Sequence, residues 1–442
     1  MRKLWTCAGT GLLAGGLLAG TASADTAQPA RTDAIILRGS ASTEAMEPVR
    51  TDALAELDAV IENGIEQEVF PGAVLVVGKP GEILWAQPYG HKTYDEDADP
   101  VTLDSLFDMA SVSKVAATAS MAWRLLGEGV IALDDPVSDY IPNFDSGGKD
   151  GVTVKDLLTH VSGLKSYENR NVVEQQRRED ETPAQALIRH YAELEASYEP
   201  RTDYVYSCLN FQTLARVNEI AAGRQMEGYL HEHIFGPLGM NDSVFNLSED
   251  QKNRTMPTLR LDDGSLLVAE IHDPLANYHG VGEHCPGNAG LFSTGPDMAR
   301  FCEMVLNEGR ATDGTQLIDP EIIRLSATDQ TPEAVSNRRG LGWVMYSSFP
   351  WATEKNQEDG HRVIGHTGYT GTLIWIDQHS QTYFTLLTNR VYPDDSRPDG
   401  ITIAGVRRQV AEAVLRAQPE YADIFAERDA EEAAEAEEPA GK

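Results

Sequence analysis

The stretch FDMASVSKVAAT, residues 107–118, sets Ser111, Ser113 and Lys114 among small and apolar residues. A lysine is costly to bury, so its position between Val112, Val115, Ala116 and Ala117 asks for a partner. Read as the start of a helix, positions i and i+3 share a face. That spacing pairs Lys114 with Ser111 and sends Ser113 elsewhere. Desolvation lowers an ammonium pKa, so this reading expects a partly neutral Lys114 near pH 7 that takes a proton from the Ser111 hydroxyl. The chemistry would be nucleophilic acyl transfer. A surface lysine on an ordinary helix has the same spacing, so the pair needs support from the rest of the chain.

That support comes as an ordered set. YVYSCLNFQTLA places Tyr206 just after the turn PRTDY, and GHTGYTGTLIWID places His366, Thr367 and Gly368 at the start of a strand. LLTHVSGL (157–164), IFGPLGM (234–240) and NAGLFSTGPDMARF (288–301) lie between them. With these landmarks in this order, the sequence resembles the serine β-lactamase and penicillin-binding protein superfamily over roughly residues 50–418. The branch it resembles is class C, with its DD-peptidase and family VIII esterase relatives.

The resemblance implies roles for individual residues. Ser111 would be the nucleophile that becomes acylated, and Lys114 the lysine that hydrogen-bonds it. Tyr206 would carry protons to the leaving group and later activate water. His366, Thr367 and Gly368 match the KTG-type strand motif, and the backbone N–H groups of Ser111 and Tyr369 would form the oxyanion hole. Two positions depart from the pattern. Where the family has Tyr-x-Asn, with an amide that binds the substrate's acylamino group, this chain has Cys208, and the nearest asparagine is Asn210. Cysteine is a poor hydrogen-bond partner; both residues are candidate substrate contacts. The strand motif reads HTG, and a histidine is only partly charged near pH 7, so it would hold a carboxylate less firmly than lysine.

Three functions are weighed on this basis. The first is an exported serine hydrolase acting on ester or amide bonds, either of peptidoglycan-type peptides, as a DD-carboxypeptidase does, or of small esters. The second is a β-lactamase, against which Cys208 speaks. The third is a non-catalytic penicillin- or peptidoglycan-binding protein, against which the intact Ser111, Lys114 and Tyr206 set speaks.

These residues need elements to position them. Residues 52–66 put Leu54, Leu57, Val60, Ile61 and Ile65 on one helical face. Strands at 73–78 and 82–87 flank the turn Lys79-Pro80-Gly81. The stretch 112–330 reads as mostly helical. RVIGHTG, GTLIWID and QTYFTLLTN read as three successive strands, followed by a helix at 401–416 with Ile403, Val406, Val410 and Val414 along one side. The expected fold is α/β (α+β), of the β-lactamase/transpeptidase type. An antiparallel sheet is made from both chain ends and flanked by helices, with an all-α subdomain inserted. The expected organisation is a signal peptide over 1–24, a flexible lead-in over 25–50, the hydrolase domain over 51–420 and a disordered acidic tail over 421–442.

Composition narrows the partners. The chain has 442 residues and a net charge of −33, which repels nucleic acid and anionic membranes. Arg2 and Lys3 precede an apolar run ending near Ala22-Ser23-Ala24, the pattern of a secretory leader cut after Ala24, with a periplasmic destination. The run is too short to span a bilayer, and no other stretch is long enough. Cys208, Cys285 and Cys302 follow the cut, an odd number without CxxC spacing, so at least one thiol is free or bonded to another chain. No cofactor or metal is expected. His231 and His233 are two apart on a helix and face different ways. A structural role is expected for His160, and Asn288 is expected to line the wall behind the site. The partner is a small-molecule or peptide substrate; the oligomeric state is not legible.

Overall fold

The computed structural model describes residues 35–36, 50–345, 363–395 and 401–437. The expected leader and nearly all of the lead-in lie outside these residues. Among them, seven strands form one sheet: β1 (Ile35–Ile36), β2 (Gly72–Lys79), β3 (Glu82–Gly90), β4 (Val344–Met345), β5 (Val363–Thr367), β6 (Leu373–Asp377) and β7 (Thr382–Thr388). Their spatial order is β1-β3-β2-β7-β6-β5-β4, and every neighbouring pair is antiparallel. The two chain ends meet at β2 and β7, where Ala73 pairs with Thr388 and Gly78 with Tyr383.

Side chains of a strand alternate between its two faces, and here each face enters a different core. From β2, Ala73, Leu75 and Val77 join Leu373, Trp375 and Phe384 beneath two terminal helices. Val74 and Val76 point the other way, with Ile374, Ile376 and Tyr383. Helix α1 (Glu56–Glu66) contributes Leu57 and Ile61 to the first core, and the C-terminal helix Ile403–Arg416 contributes Val406, Val410 and Val414. The opposite face is covered by the helix Gly295–Leu306, through Met298 and Phe301, and by the helical insertion behind it. Burying each such aliphatic side chain stabilises the fold by about 1.5–3 kcal/mol. No helix among the described residues is long and apolar enough to cross a membrane.

Two expectations need correction. The helix expected over 52–66 starts as a separate 3₁₀ turn, Asp52–Leu54, before α1 proper. The acidic tail is not irregular from 421 onward: Ala422–Glu437 is helical. Alanine and glutamate are strong helix formers. Tyr421 and Phe425 are buried in the terminal core, and the guanidinium carbons of Arg416 and Arg428 lie 4.5 and 5.1 Å from the Phe425 ring centroid. The charge run thus sits on a helix anchored at its first turn by one aromatic side chain.

Candidate active site

Ser111 sits in a short 3₁₀ turn, Ala110–Val112, followed by a π-helical turn over Lys114–Ala119 and a regular helix, Ser120–Gly127. Such π turns cluster at functional sites, and this one is supported locally: the Asn218 amide donates to Thr118 O at 2.9 Å. Ala110 has φ 45°, a left-handed conformation costing about 1–2 kcal/mol in a residue with a Cβ. The carboxylate of Asp108 holds the segment there. Its Oδ1 accepts from Ala110 N and its Oδ2 from His272 N, both at 2.8 Å. Burial lifts this carboxyl to about 6.

The i,i+3 pairing of Ser111 with Lys114 is present, with Lys114 Nζ donating to Ser111 Oγ at 3.0 Å. Ser113 faces away, fully buried, and accepts from Leu291 N at 3.1 Å. The expected charge state of Lys114 is not found. Burial does pull this ammonium down, but its neighbours Cys208, Tyr206 and Asp273 push it up, and it lies above the ordinary lysine value. Its surroundings agree. An ammonium has three donors, and Nζ has three acceptors: Ser111 Oγ, Asn288 O at 2.8 Å and Cys208 Sγ at 3.7 Å. A lysine that keeps its proton is a donor to Ser111, not the group that deprotonates it.

Tyr206 lies beside this pair, its ring centroid 5.1 Å from Lys114 Nζ. His160 positions it. The His160 ring is buried 4.6 Å from the Tyr206 ring, and its Nδ1 accepts the N–H of Ser207 at 3.0 Å. Burial, with Arg339 and Lys114 nearby, holds His160 well below the usual imidazole range, so it is neutral. Cys208 begins the helix Cys208–Ala222, with Ser207 as its N-cap. Cys208, Cys285 and Cys302 form no disulfide among the described residues.

Asn210, expected among the substrate contacts, is not one. It is fully buried, accepts from Ser162 Oγ at 2.5 Å and meets His160 Nδ1 at 3.4 Å. Two residues along a helix turn the side chain away from the face that carries Cys208. Asn288 supports the site from behind: its backbone carbonyl takes Lys114, and its side chain bonds Gln212 and Asp273.

The HTG motif ends β5, and a network of short contacts ties it to the Ser111 segment. Thr370 Oγ1 donates to Asp108 O at 2.7 Å and Thr372 Oγ1 to Met109 O at 3.0 Å. A Cβ on Gly368 would fall 2.6 Å from Met109 O and closer still to Thr372 Oγ1, so only glycine permits this approach. Tyr369 is clamped: its carbonyl accepts from Arg390 Nε at 2.8 Å, its hydroxyl donates to Asp395 at 2.6 Å, and its ring stacks near His272. His366 is buried, its Nδ1 lying 2.9 Å from Thr367 O. Burial, with Arg339 and Lys114 nearby, holds its ring well below the imidazole range. It is therefore neutral, not the partly charged group expected.

Ser111, Tyr206, His366, Thr367, Gly368 and Tyr369 all line one open pocket of about 440 Å³, within the size range of small-molecule sites. Three arginines that the sequence did not single out, Arg339, Arg390 and Arg407, line it as well. Nothing in their spacing marks them, because they come from three separate segments. Among the described residues no group of three or more His, Cys, Asp or Glu side chains could hold a metal ion.

The comparisons with known proteins agree with this geometry. The family model described as Beta-lactamase matches residues 57–407. An Escherichia coli (strain K12) protein provisionally named D-alanyl-D-alanine carboxypeptidase is 28% identical over 370 residues, covering 76% of this chain and 83% of that protein. An N-acetylmuramyl-L-alanine amidase from Bacillus subtilis (strain 168) is 29% identical over 370 residues, covering 76% and 81%. A penicillin-binding protein homologue from Caulobacter crescentus superposes with a TM-score of 0.66 at 19% identity, covering 84% of this chain and 99% of that one. The chain belongs to the beta-lactamase family and is a serine hydrolase of the β-lactamase and penicillin-binding protein superfamily.

Proposed function

We propose that Ser111 is the nucleophile of an exported hydrolase that forms an acyl-enzyme from ester or amide bonds, with peptidoglycan-type peptides or small esters as substrates. The observation that carries this reading is the 3.0 Å contact between Lys114 Nζ and Ser111 Oγ, with Ser111 and Tyr206 lining the same pocket. Because Lys114 keeps its proton, Tyr206 is the proton carrier. In the first step the Ser111 proton passes to the Lys114–Tyr206 pair as Oγ attacks the carbonyl carbon. The oxyanion is taken by the backbone N–H groups of Ser111 and Tyr369. The Thr370 and Thr372 staples support that pairing by holding their two segments together. The intermediate then expels the amine or alkoxide, which leaves with the proton from Tyr206. Water enters, gives its proton to Tyr206 and releases the acid from Ser111, whose oxygen regains the proton. The names of the two relatives, a carboxypeptidase and an amidase, support amide cleavage in cell-wall material. Export is supported by the leader pattern that ends at Ala24.

The test is side-by-side labelling with a fluorophosphonate and a fluorescent penicillin. Both should label the parent and neither should label Ser111→Ala. Labelling that persists in Ser111→Ala and disappears in Ser113→Ala would overturn the assignment. Rapid turnover of penicillins with no hydrolysis of N-acyl-D-Ala-D-Ala peptides would favour a β-lactamase instead.

A further inference from the structure

Asp273 stands in IHDPLANYHG, a stretch that carries none of the motifs of the site. Its local role is plain. It is the N-cap of the short helix Pro274–His279, and its Oδ1 accepts from Ala276 N at 2.7 Å. Asparagine and serine cap a helix as well as aspartate does, so the cap leaves the charge of this side chain unexplained. The other bonds of the carboxylate lead toward the active site. Oδ2 accepts from the Tyr167 hydroxyl at 3.1 Å, and Oδ1 accepts from Asn288 Nδ2 at 3.2 Å. Asn288 is fixed at its other end too, where its Oδ1 accepts from Gln212 Nε2 at 2.7 Å. Its backbone carbonyl takes Lys114 Nζ at 2.8 Å. One residue before Asp273, the His272 N–H holds Asp108 and through it the turn of Ser111. Two consecutive residues therefore brace both members of the Ser111–Lys114 pair.

Lys114 is fully buried, and none of its three acceptors is a carboxylate. A buried ammonium without a counter-charge is expensive to keep. Burial pulls Lys114 down, and Cys208, Tyr206 and Asp273 raise it. Of these three side-chain types, only aspartate ordinarily carries a full negative charge at neutral pH. The remaining titratable groups around the lysine are Tyr204, His160 and His366. Burial raises the first and lowers the two imidazoles, so all three are neutral. Around Asp273 itself stand Tyr167 and Tyr191, both raised by burial, His272, lowered by burial, and Asp108, raised by burial to about 6. None of these is a cation at neutral pH. Arg390, which acts on His272, is taken by Asp395 at 3.3 Å.

We propose that Asp273 is a positioning residue of the acyl transfer: it holds Asn288 against Lys114 and supplies the negative charge that the buried ammonium lacks among its direct contacts. This inference rests on the Ser111 reading for its kinetic test but not for its spectroscopic test.

The spectroscopic test follows Lys114 in the full chain labelled with ¹³C-lysine. Its Cε resonance is assigned by its loss in Lys114→Met and titrated from pH 7 to 12. Asp273→Asn keeps the capping oxygen and removes the charge, whereas Asp273→Glu keeps the charge and alters the reach. The Lys114 midpoint should fall by about one pH unit in Asp273→Asn, the lower end of what a nearby opposite charge does, and stay closer to the parent in Asp273→Glu. Equal midpoints in the parent and Asp273→Asn overturn the proposal. The kinetic test reads kcat/KM for p-nitrophenyl acetate against pH. Asp273→Asn should lose about tenfold, the equivalent of one pKa unit. Its alkaline fall should begin about one unit below that of the parent, because the working form of Lys114 is the charged one. Asp273→Glu should recover part of the rate. A residue that served structure alone would give the reverse order, with the isosteric Asp273→Asn the better enzyme, or an alkaline limb that does not move; either result overturns the proposal. If the parent does not hydrolyse the ester, the Ser111 reading fails on its own, and the Lys114 midpoints alone decide the role of Asp273.

Discussion

Replacing Cys208 with asparagine tests the most unusual position in the site. The thiol stands 3.7 Å from Lys114 Nζ, a weak acceptor at the margin of contact. An amide oxygen in its place reaches an ammonium at about 2.9 Å, and a hydrogen bond to a charged donor contributes about 1.5–3 kcal/mol. That bond exists with and without substrate, so it cancels from kcat/KM. What remains is the amide NH₂, free to donate to the acylamino carbonyl of a bound substrate. One neutral bond of this kind contributes about 0.5–1.5 kcal/mol, a gain of up to roughly tenfold in kcat/KM. Asn210 cannot already perform this task, being buried and bonded to Ser162 and His160. The assay is kcat/KM for nitrocefin, an N-acyl-D-Ala-D-Ala peptide and p-nitrophenyl acetate, in the parent and in Cys208→Asn. The first two should rise, and the acetate, which has no acylamino group, should move little. Equal changes for all three, or a loss confined to the first two, would refute the placement of Cys208 at the substrate.

The remaining predictions concern the supports of the site. Ser113→Ala removes the acceptor of the buried Leu291 N–H and should cost about 1–3 kcal/mol of stability, read by urea denaturation; a neutral result would show that the N–H finds another partner. Asp297 is buried and its carboxyl is raised to about 6. Its protonation therefore favours the folded state at low pH, and that contribution is lost as pH rises through about 6. Between pH 4 and 7 the unfolding free energy of Asp297→Asn should gain about 2 kcal/mol relative to the parent, from a shift of about two pKa units. A constant difference across that range would refute the raised value.

The elements were legible because their periodicities are strong. Val74 and Val76 alternate with Ala73, Leu75 and Val77 through two cores, and the sequence carries that alternation openly. Ser111 and Lys114 were legible because one helical turn brings them together whatever the tertiary structure does. Asn210 was misplaced because counting along the chain cannot say which face of Cys208–Ala222 looks at the pocket. The charge of Lys114 was misjudged for a similar reason. Burial can be inferred from neighbours in sequence, but Asn288, Cys208 and Tyr206 arrive from elsewhere. Arg339 carries no local signal, since it is marked only by the lack of a hydrogen-bond partner for Nε and Nη2 among the described residues. The tail was read from its acidic charge and low complexity, and the burial of Tyr421 and Phe425 where it begins was not visible in that reading.

The junction of β2 with β7 also governs how the molecule can be made. Ala73 finds Thr388 only after the intervening chain has left the ribosome, and contacts so distant in sequence close slowly. The hairpin β2–β3 can form early, but the edge of β2 that β7 will occupy must wait, unpaired and flanked by Val74, Leu75, Val76 and Val77. Unsatisfied strand edges of this kind are where partly made chains associate with one another. The C-terminal strands are thus the cover for an adhesive edge as well as the carrier of the HTG motif. A chain truncated before Thr382 would lose solubility before any question of catalysis arose.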